Sequence, residues 1–174
     1  MSDRSSISLA ALAALAACSL LAAAAAPAQE PAAPEVSAEG AIRYRQNLMH
    51  AVGGDMGAIS DILKYRLPFP THIAEHARSL AQSALLIPAA FEPRVIEGPT
   101  DAKPAVWERP DEFREKAEAM GREAAVLAEV ATNGDPAAIA RQTKALGDAC
   151  GACHDTFRKP KEQSYKRAAG GGHP

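Results

Sequence analysis

Between Ala41 and Leu63 the chain repeats every seven residues. Ile42, Met49, Met56 and Leu63 form one row, and Arg45, Val52 and Ile59 interleave with it. The mean spacing is about 3.5 residues per turn, the period of helices that lie side by side and bury one seam. Three later stretches repeat with helical spacing. They are Ile73, Ala77, Leu80, Ala84 and Ile87; then Phe113, Ala117, Met120, Ala124, Leu127 and Ala131; then Ile139, Thr143, Leu146, Cys150, Cys153 and Phe157. Aromatic residues are only 5% of the chain while hydrophobic residues are 47%. That balance suits Ala-rich helices better than a β-sandwich, which draws on Val, Thr, Tyr and Phe. The 174 residues suffice for one domain with a real core.

Punctuation residues divide the stripes. Ser37 is a candidate N-cap for the first helix, and Leu67-Pro68-Phe69-Pro70 stops it. Thr71 is the expected N-cap of the second helix, and Pro88 its expected end. Residues 89–106 hold Pro93, Gly98, Pro99 and Pro104, so they read as a long connection, with Phe91 and Trp107 as anchors at its ends. Pro110, Asp111 and Glu112 suit the start of a third helix, which Asn133-Gly134 closes. Asp135 and Pro136 open the fourth as N-cap and first helical residue. Short first and third connections predict an all-α, four-helix up-down-up-down bundle over residues 37–160. Residues 161–174 lack apolar periodicity and read as a solvated, disordered tail.

At the other end, Ile7 to Ala26 is almost wholly apolar and leads into the small-residue site Ala26-Pro27-Ala28. Residues 1–28 have the layout of a cleaved signal peptide, with a flexible Pro- and Ala-rich lead-in over residues 29–36. The expected address is the periplasm. A retained membrane span is the alternative, and Leu15-Ala16-Ala17-Cys18 also resembles a lipoprotein processing site. Membrane attachment is expected only through a retained N-terminus or a lipidated Cys18. The formal charge of −2 gives no reason to expect nucleic acid as a partner.

The last stripe carries Cys150-Gly151-Ala152-Cys153-His154, the C-x-x-C-H attachment sequence for haem c. Residues three apart share a helix face, so both thiols can reach one edge of the macrocycle. His154 follows directly and is the proximal iron ligand. A zinc site would need further ligands of similar spacing, and a thiol redox site a βαβ context; the sequence has neither nearby.

The chain resembles the class II cytochromes c, the cytochrome c′ family, over roughly residues 37–160. Tyr44-Arg45-Gln46, Gly53 with Met56, Trp107, and the run from Cys150 through His154 to Phe157-Arg158 carry the resemblance. It implies that the residue four after Arg45 covers the iron face opposite the histidine. That residue is Met49, which implies the six-coordinate, low-spin branch with Met49 as sixth ligand. The bundle geometry points the same way. His154, near the end of the fourth helix, is level with the early first helix, and Met49 is about 12 Å along from Ala41. Met56 is roughly 10 Å further on. His50 is turned about 100° off the seam, Met120 is mid-helix, and His72 and His76 begin the second helix at the far end. As a residue on a helical stripe, Met49 also fits ordinary core packing.

Arg45 and Arg158 are candidate contacts for the haem propionates. The alternative for Arg45 is to reach solvent, and for Arg158 to favour the helix C-terminus. The expected function is single-electron transport to redox partner proteins, without enzymatic activity. The alternative is a five-coordinate haem that binds nitric oxide or carbon monoxide. Five-coordinate relatives are often dimers through helices one and two, and the chain reads as a monomer or a homodimer.

Overall fold

The structure, a computed structural model, describes residues 36–168. The expected signal peptide, Cys18 and all but the last residue of the lead-in lie outside the described residues. Four long helices carry the architecture: α1 (Ala38–Tyr65), α2 (Pro70–Ala90), α4 (Pro110–Asn133) and α5 (Pro136–Phe157), with a single turn, α3 (Ala105–Glu108), before α4. The Ser37 hydroxyl accepts from the Gly40 N–H, and the Asp135 carboxylate accepts from the Ala137 N–H. Each satisfies an N–H that lacks a partner within its helix.

Two boundaries differ from expectation. Pro70, not Thr71, opens α2 as its first helical residue, because its fixed φ and missing N–H suit that place. Pro88 does not end α2, which continues to Ala90. At this late position the proline removes only one helical hydrogen bond. The C-terminus of α1 is capped by Arg66 in the left-handed region, φ 53°, and that of α4 by Gly134 at φ 77°.

The four stripes meet as the bundle core. Ile59, Ile73, Leu80, Leu127 and Leu146 are fully enclosed at its centre. Small residues let α2 and α4 approach closely: a Cβ on Gly121 would lie 3.2 Å from that of Ala84. The helices pack in the order α1–α2, α2–α4 and α4–α5, while α1 and α5 touch little. Among the described residues no helix is long and apolar enough to cross a membrane.

Residues 161–168 differ from the expected tail. They form a 3-10 helix, Lys161–Gln163, and a final turn, α6 (Tyr165–Ala168). Ser164 is buried between them. An isolated antiparallel bridge joins Ala102 to Arg158 and ties the end of α5 to the long loop.

Candidate haem site

Where α1 and α5 part, a cavity of about 440 Å³ opens between them. Its α5 wall is Cys150, Cys153, His154 and Phe157, and its α1 wall includes Arg45, Met49, Val52 and Met56. Phe113, Ala117 and Met120 of α4 form the floor. The volume is typical of a cofactor site, and the lining is mostly apolar with a few polar groups.

On α5 the two cysteines are half-buried and have no disulfide partner among the described residues. Burial pushes both thiols upward. Cys153 rises to about 11, through desolvation first and the neighbouring Cys150 second, with Lys116 opposing. His154 is pushed below the usual imidazole value by desolvation and then by Arg158, with Asp155 opposing. Its environment therefore favours a neutral ring with a lone pair to donate.

Met56 and Gly147 approach one another across the cavity: a Cβ on Gly147 would lie 3.9 Å from Met56 Cε. The helices are antiparallel. Seven residues back along α1 leads to Met49, and seven forward along α5 leads to His154, each about 10 Å away. Met49 and His154 therefore lie toward the same end of one cavity, on its α1 and α5 walls. Other candidates also reach it: Met56, the buried Met120 and the exposed His50 all line the cavity. His72 stacks on Phe69, and His76 pairs with Asp55 at 2.8 Å; neither lines the cavity.

Arg45 does not reach solvent; it is 3% exposed. Its guanidinium donates to the Pro93 carbonyl at 3.0 Å and the Val95 carbonyl at 3.2 Å. Phe91 and Trp107 place their rings over it. Burial lowers its basicity, as expected where no carboxylate stands beside the charge. Its Nε is buried without a hydrogen-bond partner. Trp107 donates to the Phe91 carbonyl at 2.6 Å, and Phe91, Phe113 and Phe157 pack ring to ring. The expected anchors of the long loop thus form one aromatic wall beside the cavity. Arg158 is exposed, caps α5 with its N–H on the His154 carbonyl, and also lines the cavity.

The sequence reading missed several wall residues. Lys116, Thr100, Asp101, Ser164, Tyr165 and Lys166 all line the cavity. Most lie outside the helical stripes, where apolar periodicity carries no signal.

This chemistry fits haem c. Two free thiols and an imidazole lie on one helix in attachment spacing, facing an apolar cavity. Gly53 lines it with no Cβ and nothing within 4 Å of where one would stand, leaving the α1 backbone open to a flat ring. The spare donor on Arg45 suits a carboxylate.

Helices and site together define a four-helix haem bundle of the class II type. The chain belongs to the cytochrome c′ family, whose model matches residues 40–158, and it binds one covalently attached haem c. It is 39% identical over 125 residues to a cytochrome c′ of Pararhodospirillum photometricum, covering 71% of this chain and 99% of the relative. It is 38% identical over 128 residues to a cytochrome c-556 of Agrobacterium fabrum, covering 72% of this chain and 86% of the relative. Among solved structures, the nitric oxide complex of a cytochrome c prime variant from Alcaligenes xylosoxidans matches with a TM-score of 0.64 and 27% identity. That match covers 73% of this chain and all of the other.

Proposed function

We propose that this protein is an exported, periplasmic one-electron haem protein in which Met49 stands over the iron face opposite His154. The observation that supports the reading is that Met49 of α1 and His154 of α5 line one cavity. When bound, haem c supplies a one-electron iron couple. Cys150 and Cys153 would hold the ring, His154 would supply an imidazole nitrogen to the iron and Met49 a thioether sulfur, a ligand that favours the reduced iron. Phe113, Phe157 and Met120 give the cavity an apolar wall. The partners in this reading are redox proteins, and no catalytic turnover is proposed. The signal peptide read at residues 1–28 supports export.

A second reading has its own support, and the comparisons favour it over ligation by Met49. The family is that of cytochrome c′, and one solved neighbour is a nitric oxide complex. In this reading Met49 is a packing residue, and the face it covers admits nitric oxide or carbon monoxide.

The visible spectrum of the ferrous holoprotein separates the two. Sharp α and β bands with slow carbon monoxide uptake show a side-chain ligand on that face. A broad high-spin spectrum with ready uptake assigns the open face. Met49→Ala converts the first spectrum into the second if Met49 ligates, and leaves the spectrum unchanged if it only packs.

A further inference from the structure

The end of the described chain folds back onto the long loop at the edge of the cavity. The backbones of 101–103 and 157–159 pair first. The Lys159 N–H donates to the Asp101 carbonyl at 2.7 Å, and the Lys103 N–H to the Phe157 carbonyl at 2.9 Å. Then the Asp101 side chain acts. One carboxylate oxygen accepts from the Ser164 hydroxyl at 2.9 Å, and the other from the Tyr165 N–H at 2.9 Å. Both oxygens are thus committed to one turn, and Ser164 is 8% exposed. Ionised acceptors make hydrogen bonds roughly twice as strong as neutral ones. The turn so held puts Ser164, Tyr165 and Lys166 into the wall of the same cavity. The wall also carries Arg158, Gln46, Thr100 and the buried Arg45 guanidinium, while Val52, Ala117 and Met120 supply an apolar part.

We propose that Asp101 is a positioning residue that clasps the C-terminal turn against the haem cavity, and that Lys166 on that turn supplies a cation to the haem. The proposal rests on the haem reading of the cavity. A cation held there favours the reduced iron, because reduction removes one positive charge.

Two measurements on the full-length holoprotein test the clasp and the cation. The first is limited trypsin digestion, following cleavage at Lys161–Glu162; Lys159 is followed by Pro160, so trypsin does not cut there. Asp101→Ala removes both acceptors and should speed this cleavage by about tenfold or more. Asp101→Asn keeps one acceptor and should fall between. The second is the reduction potential at low ionic strength. Lys166→Gln should lower it, and the lowering should shrink by at least half in the Asp101→Ala background, where the lysine is no longer held. Comparing within each background removes the effect of the aspartate's own charge. Unchanged cleavage in Asp101→Ala overturns the clasp. Faster cleavage with a potential insensitive to Lys166→Gln, or equally sensitive in both backgrounds, overturns the role toward the haem. A wild-type spectrum without covalent haem would instead refute the haem reading itself, and the digestion still reads the clasp.

Discussion

Replacing Arg45 with Met separates a buried charge that builds the structure from one that decorates it. Met preserves length and most of the volume, so no large cavity confuses the result. The substitution removes two hydrogen bonds from a charged donor, at 3.0 and 3.2 Å. Each is worth about 1.5–3 kcal/mol. It also removes contacts with the Phe91 and Trp107 rings, worth about 0.5–2 kcal/mol in all. Against this, the guanidinium no longer has to leave water, a penalty of several kcal/mol for a buried ion. The Pro93 and Val95 carbonyls, on a half-buried loop, recover part of their hydration. The balance is a loss of roughly 2–4 kcal/mol. Arg43→Met is the control. Arg43 pairs with Glu39 at 3.7 Å while both side chains are more than two-thirds exposed, so its loss should be under about 0.5 kcal/mol. Urea unfolding of the two holoproteins, followed by far-ultraviolet circular dichroism, measures both. Equal midpoints for the two variants would refute the claim that Arg45 fastens the long loop to α1.

Other perturbations read separate parts of the molecule. Leu146→Ala empties a fully enclosed site one turn before Cys150 and should lose about 2–5 kcal/mol in the same unfolding assay. Arg66→Gly relieves a left-handed residue at the end of α1 and should raise the melting temperature, by about 1 kcal/mol of stability. Asp135→Ala removes the cap of α5 and should lose about 1 kcal/mol. In the doubly substituted Cys150→Ala, Cys153→Ala chain, acid–acetone should extract whatever haem is bound, whereas the wild type should keep its haem in the protein fraction.

The elements that sequence revealed and those it concealed differ in physical kind. Ile73, Leu80, Leu127 and Leu146 sit on helical periods, and burial of those rows produces the bundle, so they were legible. Ser37, Asp135, Pro136 and Gly134 act within one turn of chain, so they were legible too. Thr71 misled because a side-chain cap and a proline compete for the same helix start, and at α2 the proline takes it. Arg45 was visible as a charge on an apolar seam, but its partners are carbonyls some fifty residues away, on a loop without a repeat. Asp101 was hidden for the same reason, since its work is done on Ser164 and Tyr165.

The pairing of Met49 with His154 lies between these cases. Each residue was legible alone, but their common height depends on how far α5 slides along α1. The loop between α2 and α4 limits that slide, because it is bridged to the end of α5 and fastened to α1 through Arg45. At Gly147 only the flexible end of Met56 comes near: a Cβ there would lie 3.9 Å from Met56 Cε, an ordinary contact. A larger side chain at residue 147 meets that movable methyl, and α5 need not slide; a slide of one turn, about 5 Å, would bring a different residue of α1 toward His154. Gly147→Val should therefore leave the register, and with it the ferrous spectrum, as in the wild type, whereas Met49→Ala alters the spectrum if Met49 ligates the iron. A Gly147→Val spectrum shifted as in Met49→Ala would show instead that residue 147 sets the register.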